Sequence, residues 1–138
     1  MKFWIDCEWN DYKGKLISIA LVGEDGAEFY AETPCINPTQ WVAEHVMPLL
    51  HGCSLPIYDI QTKLEAFLGQ YVHTHIIADW PEDIAMFCNL LIVGPGSKIN
   101  TPKLSFEVFR CDSFSETPHN ALADAKGLKA AFLAQLAK

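Results

Sequence analysis

Asp6 and Glu8 stand one residue apart in the opening stretch "MKFWIDCEWND". Residues i and i+2 of a strand share a face. A strand here sets the two carboxylates side by side, with Phe3, Ile5 and Cys7 on the opposite face. Two such acids repel, and one is driven towards protonation. A hard divalent cation such as Mg²⁺ or Mn²⁺ removes the conflict, because it takes oxygen ligands and D-x-E supplies two. Taken alone, the pair fits the solvated outer face of an edge strand better than a metal site.

Two further segments carry the same kind of chemistry. In "HNALADAKGL", His119 and Asp124 are five residues apart at the start of a helical pattern. That separation does not put them on one helical face. A helix beginning after His119 leaves the imidazole on the entry turn, with Asp124 projecting from the first turns. A base and a fixed ligand then share one site. The plainer reading makes Asp124 an N-terminal acid that favours the helix dipole. In "IIADWPEDIAMF", Asp79 ends a strand and Asp83 lies one turn into the next helix. Asp79-Trp80-Pro81-Glu82 fits a capping box with Asp79 as N-cap, which leaves Asp83 without a structural task.

The elements that must position these residues follow from periodicity. Phe3–Glu8 alternates as a strand, "KLISIALV" (15–22) fits a central strand, and "AEFYA" (27–31) follows the turn "GEDG". Short turns between the three give an antiparallel meander. Trp41, Val42, His45, Val46 and Leu49 recur at helical spacing until Pro48 bends or ends the helix. A second helix is expected over 57–71, a strand over "HTHIIA" (73–78), a third helix from Asp79 to about Val93, a loop over "GPGSKINTP", a strand over "LSFEVFR" and a last helix over 120–136. The order βββ-αα-β-α-β-α describes one α/β domain spanning 1–138 with a mixed sheet.

Composition narrows the function classes. Half of the 138 residues are hydrophobic and a fifth are charged, as in ordinary globular domains. No apolar run is long enough to cross a membrane, and "MKFWIDCEW" lacks the long apolar stretch of a secretory signal. A cytoplasmic protein with no membrane partner is the expectation. The five cysteines are scattered, with no C-x-x-C pair, which argues against a disulfide framework or a thiolate zinc site. A formal net charge of −7 excludes a protein that lives by broad phosphate contacts. It remains compatible with an enzyme whose acids are neutralised by bound cations.

Together "IDCEW", "ADWPEDIAMF" and "HNALADA" resemble, in this order, the three exonuclease motifs of the DEDDh branch of 3′→5′ exonucleases, the DnaQ-like group of the ribonuclease-H-like fold. The similarity is greatest to short bacterial and phage exoribonuclease-like members and spans positions 6 to 124. The resemblance implies a ribonuclease-H-like mixed five-stranded sheet flanked by helices, with the fourth and fifth strands parallel to the first. It implies Asp6, Glu8, Asp83 and Asp124 as ligands of two Mg²⁺ or Mn²⁺ ions, with Asp6 bridging, and Asp79 as the alternative to Asp83. It implies His119 as the general base and 5′-nucleoside monophosphates as products. Single-stranded or 3′-overhang nucleic acid is the implied partner, RNA favoured over DNA, and a homodimer is one arrangement compatible with it.

Trp9 and Trp80 flank the acids and suit either base stacking or packing. Trp9 stands where the family usually has a smaller or different side chain. Lys98, Lys103 and Arg110 are candidate phosphate contacts, and His73 and His75 read as a solvated strand face. The competing function on the same fold is a catalytically inactive nucleic-acid-binding module, for which an acidic chain lacks a source of affinity.

Overall fold

The computed structural model describes residues 1–138. Its elements are β1 (Lys2–Trp9), β2 (Leu16–Gly23), β3 (Glu28–Glu32), α1 (Gln40–His45), a 3₁₀ turn (Met47–Leu49), α2 (Ile57–Leu68), β4 (His73–Ala78), α3 (Pro81–Leu91), β5 (Ile92–Gly94), β6 (Ser97–Lys98), β7 (Lys103–Val108) and α4 (Ala121–Leu136). Five strands form a mixed sheet in the order β3-β2-β1-β4-β7. The first three are an antiparallel meander; β4 runs parallel to β1, and β7 runs parallel to β4. This is the α/β architecture with a mixed sheet that the sequence pattern predicts, and β4 and β7 run parallel to β1 as the resemblance implies. No helix is long and apolar enough to cross a membrane.

Three details differ from the sequence reading. The segment "GPGSKINTP" is not all loop, because β5 and β6 pair as a small hairpin around Gly96, which takes φ +63°. The first helix ends at His45 and passes into the 3₁₀ turn, since Pro48 has no N–H to continue an α-helical ladder. The strand with the paired acids is not an edge strand. It lies at the centre of the sheet, with β2 on one side and β4 on the other.

Alternation along β1 divides it between two cores. Phe3, Ile5 and Cys7 face Ile60, Leu64 and Leu68 of α2 and Phe87 and Leu90 of α3, all buried. On the reverse face, Trp4 and Ile77 pack on Leu128 and Phe132 of α4. Each fully buried large apolar side chain contributes about 1.5–3 kcal/mol, so these two layers fix the sheet between its helices. The N-terminal turns of α4 rest on β2 through small residues, Ala121 and Ala125 against Ala20 and Val22. Ala20 is the register partner of Asp6. The close alanine packing therefore brings the start of α4 down beside the acidic positions of β1.

Candidate metal centre

Asp6 and Glu8 project from the α4 side of β1, where Trp4 precedes them in the apolar layer. Pairing between β1 and β4 covers only Lys2–Trp4 against His75–Ile77. Beyond Trp4 the two strands separate, and a cleft opens at their C-terminal ends, where open α/β sheets commonly bind ligands. The separation deprives Cys7 of a strand partner for its N–H. Asp83, from the first turn of α3, accepts that N–H through Oδ1 at 2.9 Å. The bond ties α3 to β1 and fixes a buried carboxylate, 2 % exposed, at the cleft.

Asp79 follows the last residue of β4. It is not the N-cap of α3, contrary to the capping-box reading. The cap position belongs to Trp80, with Pro81 next, and no side chain bonds the free N–H groups there. The carboxylate of Asp79 is thereby left for the cleft. Its backbone carbonyl accepts a hydrogen bond from Arg110 Nη1 at 3.0 Å.

From the other side comes Asp124, in the first turn of α4. Asn120 caps this helix, its side chain accepting from the Ala123 N–H at 3.1 Å. His119 lies just before the cap in the left-handed region, φ 71°. Its backbone N–H donates to Asp124 Oδ2 at 3.1 Å. His119 and Asp124 are thus held by one turn, with the helix starting after His119.

The result is two carboxylate triads with one member in common. Ligand oxygens of Asp6, Glu8 and Asp124 lie within 4.8 Å of one another, as do those of Asp6, Asp79 and Asp83. Asp6, Asp79 and Asp124 also line a cleft of about 260 Å³ with Ser113, Ser115 and Pro118. No lysine or arginine pairs with any of the five acids; the ion pairs of the molecule are His75–Glu107 and Lys126–Glu28.

Packing five acids together without a cation raises their proton affinity. Burial holds Asp6 well above the usual carboxylate range, and Asp83, Glu8, Asp124 and Asp79 add to the effect. Glu8 is pushed up to about 8 by burial and by the charges of Asp124 and Asp83. Asp83 is pushed up to about 7 by burial, against the Cys7 N–H that favours its charged form. Burial also raises Asp124. Asp6 Oδ2 is sealed from solvent and has no hydrogen-bond partner. A buried acceptor left unpaired is costly, and a bound cation would satisfy this one. An all-oxygen, anionic donor set of this kind suits Mg²⁺ or Mn²⁺.

The flanking residues divide. Trp9 is half-buried and packs against the core formed by Phe3, Ile5 and Cys7, so it supports the strand end rather than standing free. Trp80 is 46 % exposed; its Nε1 donates to Glu82 at 2.9 Å, and the Arg110 guanidinium lies 5.3 Å from its ring centroid. Of the three candidate phosphate contacts, Arg110 alone adjoins the centre. Lys98 bonds within its own loop, to Ile99 O and Thr101 Oγ1, and Lys103 begins the edge strand β7. His73 and His75 both bond Ser105, away from the acids at the other end of β4.

One neighbour of the site was not singled out from the sequence. The ring of Trp41 meets His119 edge-on at 5.0 Å and stacks on His45 at 4.7 Å. Helical periodicity groups Trp41 and His45 with Val42 and Val46 as one apolar face. The latter pair is buried, whereas Trp41 remains 46 % exposed. The available signal was the i,i+4 aromatic pair, one residue out of step with the valines. Comparison of the chain with protein-family models and with curated proteins finds no match.

Proposed function

We propose that the chain is a divalent-cation-dependent 3′→5′ exonuclease of the DEDDh type on a ribonuclease-H-like fold. In this reading it removes 5′-nucleoside monophosphates from the 3′ end of single-stranded or 3′-overhang nucleic acid, RNA in preference to DNA. The observation that carries the proposal is Asp6, common to two carboxylate triads and without a counter-charge. Divalent cations held by these carboxylates would supply charge stabilisation to the attacking and the leaving oxygen of a phosphodiester.

The chain's own residues do the rest. Asp6 joins the two sites, Glu8 and Asp124 complete one, and Asp83 with Asp79 completes the other. The Cys7 N–H keeps Asp83 aimed at the cleft, a bond independent of the cations. His119 accepts the proton of the attacking water through its imidazole, the side chain suited to proton transfer near neutral pH. The His119 backbone is fixed by Asp124, so the base and one ligand move together. Arg110, held by the Asp79 carbonyl and the Trp80 ring, supplies positive charge for a phosphate oxygen beside the acids. Trp80 and Trp41 offer exposed rings on which unpaired bases stack.

Product analysis tests the reading. An RNA oligonucleotide with a free 3′ hydroxyl and Mn²⁺ yields 5′-mononucleotides, and a circular RNA of the same sequence stays intact. Cleavage of the circle, activity in chelator, or wild-type activity in Asp6→Ala each overturns it.

A further inference from the structure

A second, larger groove opens toward the same end of β1 as the cleft, on the α2–α3 side of the sheet. It encloses about 1020 Å³ between the β1–β2 turn, the loop after β3 and the outer side of α3. Its chemistry is opposite to that of the centre. Lys13 and Lys15 line it, and no carboxylate does. Neither lysine makes an ion pair. The Lys13 ammonium lies 5.4 Å from the ring centroid of Tyr12, itself 80 % exposed. Ile36 and Ile57, both exposed, give the groove an apolar surface with Met86. In a chain of net charge −7, a lysine-lined groove free of acids points to an anionic ligand.

The groove is braced. The Asn10 side chain donates to Asn37 O at 3.0 Å and accepts the Thr39 N–H at 2.9 Å, tying one wall to the other. Thr39 Oγ1 bonds the Asp11 carboxylate, which keeps that acid occupied. The non-glycine residues with left-handed backbone are Asp11, Lys13, Asn37 and His119. Lys13 and Asn37 line the groove, Asp11 belongs to the turn behind it, and His119 belongs to the candidate centre. Such conformations cost free energy and cluster at functional sites. Groove and centre are also contiguous in the chain: Asn10 follows Glu8 by two residues, and Met86 lies one helical turn beyond Asp83.

We propose that this groove holds the nucleotides upstream of the 3′-terminal one. Lys13 and Lys15 contact backbone phosphates, and unpaired bases lie on Ile36, Ile57 and Met86. The proposal rests on the exonuclease reading for the polarity of the strand. It does not rest on that reading for the groove's affinity.

Two measurements separate the two claims. The first is kcat/KM of wild type, Lys13→Gln/Lys15→Gln and the exposed control Lys63→Gln on a dinucleotide and a heptanucleotide of RNA in Mn²⁺. The double variant is expected to match wild type on the dinucleotide and to lose about tenfold on the heptanucleotide. The second is fluorescence anisotropy of a 5′-labelled heptanucleotide across a salt series with Ca²⁺ in place of Mn²⁺. Each lost phosphate contact on a single strand lowers the slope of log K against log salt by about 0.7, so the double variant loses about 1.4. Wild-type catalysis with an unchanged double variant overturns the groove and leaves the exonuclease. Absent catalysis with the slope loss intact overturns the exonuclease and leaves the groove. No binding and no hydrolysis overturns both.

Discussion

Glu8 shows how the centre couples protonation to stability. Its ordinary value is near 4.5, and in the fold it rises to about 8. A raised acid binds protons more tightly in the folded chain than in the unfolded one. Its contribution therefore declines as pH rises from about 4.5 through about 8, opposite to a salt-bridged carboxylate. Asp83, raised to about 7, acts in the same direction. Without divalent cations, Glu8→Gln is expected to melt close to wild type at pH 5 and above it at pH 8. Thermal scans across that range check it, and a variant that melts lower at pH 8 contradicts the linkage. His119→Ala makes a different prediction. Loss of a general base lowers kcat by about 10²–10⁴ while melting stays near wild type, because the His119 contact to Asp124 is through the backbone N–H. Steady-state kinetics beside a thermal scan separates the two effects.

At the scale of elements, the start of α4 decides the geometry. Asn120 caps the helix and also donates to Leu49 O at 3.1 Å, so Asn120→Ala loses the cap, about 1 kcal/mol, and loosens the turn that carries His119. Gly127, inside α4, is a sharper case. A Cβ there would stand 2.1 Å from Phe114 O. Gly→Ala in an open helix gains about 1 kcal/mol; here Gly127→Ala is expected to cost about 1–3 kcal/mol through overpacking. A urea midpoint above wild type would refute the close approach of the 113–118 segment. The same elements show what the sequence carries. Alternation in "FWIDCEW" and helical spacing after His119 determine which faces are apolar, so the strands, the last helix and the shared face of Asp6 and Glu8 are legible, whereas the parallel run of β4 and β7 follows only from the family resemblance. The release of Asp79 from capping is not, because a capping box is a local pattern, and the actual helix start one residue later depends on Pro81. Nor does any local pattern encode the Cys7–Asp83 bond, which arises only where β1 and β4 part.

For the molecule as a whole, the proposed acidic centre in an acidic chain would make bound cations part of the fold's balance. A cation that binds only the folded chain stabilises it by about 2.7 kcal/mol at one hundred times its Kd. Mn²⁺ is therefore expected to raise the melting temperature more at pH 8 than at pH 5, where protons compete for the same oxygens. Equal shifts at both pH values would place the cation elsewhere. The shared position of Asp6 is the core of the account, and calorimetric titration of Mn²⁺ tests it most directly. Wild type should bind two ions per chain, Asp124→Asn should retain the site on Asp79 and Asp83, and Asp6→Asn should lose both. Two ions bound by Asp6→Asn with unchanged affinity, or none bound by wild type, would contradict a centre built around that carboxylate.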